Sequence, residues 1–181
     1  MKKTFIIIVI MFNFFNKASA NYTKLAHNFE FKSIDGQSIK ISDYKEKVIV
    51  VVNVASRCGF TKQYDDLQNL WTNYKDNNLV VIGVPTNDFK QEPSSNKDIK
   101  DFCETNFHIS FPMTEKIDVI GNNAHPFFKW AKENHGKNAI PKWNFHKIIV
   151  GKNGKVADTF ASITKPSSKR FIDLIETEIK N

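Results

Sequence analysis

The sequence predicts an α/β domain with a central mixed sheet flanked by helices, and three observations carry that prediction. Residues 48–54, Val-Ile-Val-Val-Val-Asn-Val, form an almost unbroken β-branched run, the composition of a strand buried on both faces. Tyr64, Leu67, Leu70, Trp71 and Tyr74 then recur at helical spacing, and a second apolar run follows over 79–84. A helix joining two such strands is a crossover, which makes the strands parallel. Nearer the end, a strand over 145–150, a turn at Lys152-Asn153-Gly154 and a returning strand over 156–160 form an antiparallel pair.

The remaining elements fill in around this frame. Phe29, Phe31 and Ile34, then Ile39 and Ile41, alternate about Asp35-Gly36, which predicts a hairpin at the sheet edge with its turn at the Asp-Gly. A helix is expected over 96–106, carrying Ile99, Phe102 and Cys103, and another over 124–134. A closing helix carries Phe171, Leu174, Ile175 and Ile179. Strand, helix and strand, followed by a hairpin and a last helix, is the order of a thioredoxin-like fold. The 181 residues contain no repeat, low-complexity tract or interdomain linker, so one domain is expected over 21–181. Fold class alone does not give function.

Lys and Arg exceed Asp and Glu by seven. The basic residues are scattered along the chain, whereas a nucleic-acid footprint is clustered, so no nucleic acid is expected as a partner. Lys2, Lys3 and Lys17 lie in a segment without acids, and removing residues 1–20 lowers the excess to four. That segment has a leader's order: Lys2-Lys3, an apolar stretch from Phe5 to Phe15 broken by Asn13, then Ala18-Ser19-Ala20. This predicts a signal peptide cleaved before Asn21 and export to the periplasm or beyond the cell. The stretch is shorter than the roughly 18–20 residues of a spanning helix, so no stable membrane insertion is expected after cleavage.

The two cysteines, Cys58 and Cys103, both fall in the mature part. In an oxidising compartment an even pair also reads as a structural disulfide. Cys58 follows the buried strand in Ser56-Arg57-Cys58-Gly59-Phe60 and precedes the helix. There, backbone N–H groups and the positive helix end favour thiolate, the reactive form. Thr61 stands where a disulfide exchanger's second Cys would be, and Ala55 where a peroxiredoxin usually has Thr. Two cysteines and five scattered histidines make no zinc-ligand spacing.

The string Asn53-Val54-Ala55-Ser56-Arg57-Cys58-Gly59-Phe60-Thr61 closely resembles the active-site segment of glutathione peroxidases. Three further stretches resemble that family in the same order: Pro85-Thr86-Asn87-Asp88-Phe89-Lys90-Gln91-Glu92-Pro93, Asn123-Ala124-His125-Pro126, and Lys142-Trp143-Asn144-Phe145. The resemblance implies a thiol peroxidase acting on hydrogen peroxide and organic or lipid hydroperoxides, without a cofactor. Cys58 attacks the peroxide, while Gln91, Trp143 and Asn144 donate hydrogen bonds to the thiolate and the departing oxygen. Cys103, in Asp101-Phe102-Cys103-Glu104, resembles the resolving cysteine of the thioredoxin-using branch. That implies reduction by a thioredoxin-like protein, with glutathione as the reductant if Cys103 is inert. The short stretch between Asn134 and Lys142 lacks the insertion of the tetrameric enzymes, which implies a monomer or dimer. The second motif departs from the family's: Thr86 replaces a Cys, Asp88 replaces a Gln, and one residue is missing before Gln91. A thiol-disulfide oxidoreductase or redox sensor is the alternative activity, and a disulfide-stapled interaction domain the third class.

Overall fold

The structure, a computed structural model, describes residues 22–92 and 94–181. The predicted signal peptide lies outside the described residues. Six strands and four α-helices follow the predicted order: β1 (Glu30–Lys32), β2 (Ser38–Lys40), β3 (Val48–Val54), α1 (Gln63–Tyr74), β4 (Leu79–Pro85), α2 (Asn96–Phe107), α3 (Pro126–His135), β5 (Lys147–Val150), β6 (Val156–Phe160) and α4 (Lys169–Lys180). The main sheet runs β4-β3-β5-β6. β3 and β4 are parallel, pairing from Val48 with Leu79 to Val54 with Pro85. β5 is antiparallel to β3, and β6 to β5, so the sheet is mixed.

All seven residues of β3 and all seven of β4 are buried, which is why their sequences are continuous apolar runs and not alternating ones. Successive side chains point to opposite faces, and each face has its own core. On one, Val48, Val50, Val52 and Val54 pack with Leu67 and Leu70 of α1, Ile99 and Cys103 of α2, and Phe171 and Ile175 of α4. On the other, Ile49 and Val51 join Val80, Ile82, Phe127, Phe128 and Trp130, with Phe31 and Ile39. Each such aliphatic side chain contributes about 1.5–3 kcal/mol relative to exposure, so these two layers fix the positions of the strand ends.

Two elements differ from the sequence expectation. The hairpin turns at Asp35-Gly36, with Gly36 at φ +86°, yet β1 and β2 form a separate two-stranded sheet and not an edge of the main one. Each of its strands has a single inward residue, Phe31 or Ile39, and those join the α3 layer. The strand expected from residue 145 begins at Lys147, because Phe145 takes φ +62° and leaves the extended region.

Candidate active site

Beyond Val54 the chain leaves the sheet through hydrogen-bonded turns over 56–62. Thr61 organises them. Its hydroxyl oxygen accepts from the Cys58 N–H at 3.1 Å and lies 2.6 Å from the Cys58 carbonyl and 3.1 Å from the Ala55 carbonyl. The residue in place of a second sulfur is therefore a strut for the first. Cys58 is a free thiol, 8% exposed, and its Sγ accepts a hydrogen bond from the Phe60 N–H at 3.4 Å. α1 starts only at Gln63, which corrects the expectation of a helix opening at Cys58. Helix-end charge fades within a turn, so the Phe60 amide, not the end of α1, supplies the positive pole at the sulfur.

The loop after β4 is tied to this turn. The Arg57 N–H donates to the Gln91 carbonyl at 3.1 Å, and one carboxylate oxygen of buried Glu92 accepts from the Ser56 N–H at 2.6 Å and the Ser56 hydroxyl at 2.7 Å. Burial raises the Glu92 carboxyl above its ordinary range, with the Ser56 hydrogen bonds, Lys116 and Arg57 opposing. Lys90, just before Gln91, takes φ +60° and turns the shortened loop. The Asp88 carboxylate accepts from the Val119 and Ile120 N–H groups at 2.7 and 3.1 Å, which fixes its charge on that loop.

The third segment, 143–146, is held by Asn53, the one polar residue of β3. Its amide donates to the Trp143 carbonyl at 3.1 Å and accepts from the His146 N–H at 3.1 Å, while its carbonyl accepts from the Phe145 N–H at 2.6 Å. This clamp holds Phe145 in the left-handed region, where a bulky residue is strained and strain of that kind marks functional sites. Asn144, fully buried, then donates to the Gln91 side-chain carbonyl at 2.9 Å, and its own Oδ1 has no partner among the described residues. Trp143 is 40% exposed, its ring 5.5 Å from that of Phe89.

The structure thus unites Gln91 with Asn144 and ties both to the Cys58 turn at the carboxyl ends of β3 and β4, the end where ligands bind in open α/β sheets. In this resting arrangement Gln91 and Asn144 bond to each other, and the hydrogen bond on the sulfur comes from Phe60. Cys103 lies in mid-α2 as a second free thiol, 1% exposed, and burial pushes it up to about 11. No group of three or more His, Cys, Asp or Glu side chains able to hold a metal occurs among the described residues.

Sequence reasoning passed over four residues here. Asn53 had a signal, as a lone amide in an apolar strand, and Glu92 stood beside Gln91 in the second motif. Tyr64 carried no signal beyond helical spacing. Nor did Lys147, buried with its ammonium on the Gln63 side-chain carbonyl and, at 2.7 Å, on the Thr164 carbonyl. Burial brings Lys147 down to about 7.

A thioredoxin-like sheet bearing a free thiol just past the end of its central strand, with a bonded pair of amide side chains on two loops tied to that strand end, defines a thiol-redox protein. A family model described as glutathione peroxidase matches residues 26–132, a span that includes Cys58, Gln91 and Cys103. The glutathione peroxidase-like peroxiredoxin 2 of Saccharomyces cerevisiae is 45% identical over 147 residues, 78% of this chain and 90% of that protein. The hydroperoxy fatty acid reductase gpx1 of Synechocystis is 42% identical over 158 residues, 82% of this chain and 92% of that protein. The crystal structure of Trgpx in apo form superposes with a TM-score of 0.70 at 34% identity, covering 88% of this chain and 98% of that one. The chain belongs to the glutathione peroxidase family, and it is a thiol-dependent peroxidase.

Proposed function

We propose that Cys58 is the peroxidatic residue, that Gln91, Trp143 and Asn144 assist it, and that Cys103 resolves the product. In the first step the Cys58 thiolate attacks one peroxide oxygen, an S–O bond forms as the O–O bond breaks, and the departing oxide takes a proton to leave as water or an alcohol. Sulfur is oxidised to sulfenic acid. The observation that carries this reading is the joining of the Gln91 loop to both the Cys58 turn and the 143–146 segment, with the Gln91 to Asn144 amide pair bonded at 2.9 Å. Preorganised amide donors of this kind stabilise charge that develops on a departing oxygen. The half-exposed indole of Trp143 beside Phe89 gives the site an apolar rim. With the Synechocystis relative named a hydroperoxy fatty acid reductase, that rim favours lipid hydroperoxides beside hydrogen peroxide as substrates.

In the second step Cys103 condenses with the sulfenic acid, and a thioredoxin-like protein reduces the resulting disulfide. The presence of exactly these two thiols among the described residues, both free, supports that cycle. The leader-like segment, with its basic start and small residues before Asn21, supports export, in which case the reductant is itself an exported dithiol protein. The short connection between α3 and β5 supports a monomer or dimer.

The test is peroxide-dependent thiol consumption by wild type, Cys58→Ser and Cys103→Ser, with thioredoxin and with glutathione. Loss of turnover in Cys58→Ser is expected, and in Cys103→Ser loss with thioredoxin alone. Turnover persisting in Cys58→Ser sinks the assignment, and undiminished thioredoxin-driven turnover in Cys103→Ser removes the resolving role.

A further inference from the structure

Tyr64 sits fully buried on α1, in the same core layer as Cys58 and Cys103. Two aromatic rings hold it. Phe145, next to Asn144, meets it edge-on at 5.3 Å and 83°, and Phe107, one helical turn beyond Cys103 on α2, lies at 5.2 Å and 40°. The ring therefore stands between α2, which carries Cys103, and the 143–146 segment, which carries Asn144. Among the described residues its hydroxyl makes no full hydrogen bond. The Cys103 thiol lies in the same buried cluster, one helical turn from the Phe107 ring that packs on Tyr64, near enough for each group to bear on the other's proton.

A buried hydroxyl without an acceptor costs stability, and phenylalanine would fill the same space without that cost. The hydroxyl has a use only if an acceptor arises beside it. A neutral thiol is a weak acceptor, whereas a thiolate accepts a short, charge-assisted bond. We propose that the Tyr64 hydroxyl is the donor that steadies Cys103 as a thiolate while it attacks the sulfenic acid on Cys58. The step balances: the Cys103 thiol releases its proton, the S–S bond forms as the S–O bond of the sulfenic acid breaks, and the hydroxide released takes up a proton and leaves as water. Tyr64 is unchanged. This inference rests on the resolving role given to Cys103 above.

The charges around Cys103 leave such a donor little competition. Burial raises the thiol, and Glu92 and Glu104 push the same way. Lys100, Asp35 and Asp43 line the cleft of about 500 Å³ whose wall includes Cys103. Lys100 is held by Asp35 at 2.7 Å and lies 3.8 Å from Glu104, which occupies that cation. Tyr64 itself is raised well above its ordinary value by burial, so it keeps its proton as a donor throughout the working pH range.

Tyr64→Phe tests this by removing one oxygen and leaving the ring. Wild type and variant are treated with one equivalent of peroxide between pH 6 and 9, with sulfenic acid trapped by a dione reagent and disulfide closure followed by mass. Oxidation of Cys58 is expected within about twofold of wild type. Closure is expected to slow about tenfold at pH 7, with its pH midpoint raised by about one unit, since one pKa unit is a tenfold change in thiolate. The thermal midpoint is expected to hold or rise. Equal closure rates and pH midpoints in the two proteins overturn the proposal, as does an equal loss in both steps, which would make the hydroxyl a packing element. A wild type that accumulates sulfenic acid and never closes defeats the resolving role itself, a failure distinct from a variant that closes normally.

Discussion

Glu92 illustrates how much one side chain does at the end of this sheet. Its carboxylate receives both donors of Ser56 while its other oxygen has no partner among the described residues, so it joins the Gln91 loop to the Cys58 turn at the expense of a buried charge. Because its folded value is raised, the native state holds the proton more tightly than the unfolded chain. The stability this gives is present below the unfolded carboxylate value and is lost as pH rises through the folded one. Glu92→Gln keeps an acceptor for Ser56 and removes the charge. It should raise the thermal midpoint at pH 7 by about 2–4 °C, the equivalent of about 1 kcal/mol in a domain of this size. Calorimetry should find that gain shrinking toward pH 4, and a gain independent of pH would contradict the charge argument. At this scale Cys58 stood out by its place at a strand end, while Gln91 and Asn144 stood out only through the resemblance of their motifs to those of glutathione peroxidases. Tyr64 and Lys147 were not, since spacing assigns a residue to a face and cannot say where a hydroxyl or ammonium ends.

Among the elements, α2 has the most to do, because it holds Cys103 inside the core in the reduced state. Disulfide geometry is strict, and under the proposed resolving role Cys103, buried in mid-α2 and not bonded to Cys58 here, reaches its partner by local opening of the helix. Its first turn is closed by a capping box. The Ser95 hydroxyl accepts from the Asp98 N–H at 3.2 Å, and the Asp98 carboxylate accepts from the Ser95 N–H at 3.3 Å. Removing such a cap costs about 1 kcal/mol, roughly a fivefold rise in the open population. Ser95→Ala should therefore speed closure about fivefold after peroxide while leaving Cys58 oxidation unchanged, as quenched samples resolved by mass can establish. A slower closure would mean that an intact α2 delivers Cys103. The helices and both parallel strands were readable from period and composition. The starts of α1 and β5 were not, because a tether of hydrogen bonds from Thr61 and Asn53, set by the fold around them, decides where each begins.

For the molecule as a whole, the described domain begins with a docked segment. The Tyr22 ring packs 5.8 Å from that of Trp130, its hydroxyl oxygen accepts from the Val156 N–H at 3.2 Å, and the Lys24 carbonyl accepts the Trp130 indole N–H at 2.8 Å. A protein starting at Asn21 keeps all of this, whereas one starting at Ala26 leaves the indole N–H unpartnered, at about 1–3 kcal/mol. Thermal melts of the two truncations should differ by several degrees, with the longer one more stable, and equal midpoints would show that the segment adds nothing. The scattered basicity was plain from the sequence, while this N-terminal strap was not, since Tyr22 and Trp130 are joined only by the fold.

Tyr22 also sets an order of events for a chain exported as proposed. The proposed Ala20-Asn21 scission point lies two residues from a docked ring, a span of at most about 7 Å, too short to reach a peptidase once Tyr22 has seated on Trp130. Cleavage therefore has to precede the last stage of folding, and a chain that folds fully before reaching the membrane shields its own processing site. Under that proposal, passage unfolded, then trimming, and only then seating of the strap is the sequence of steps this short anchor favours.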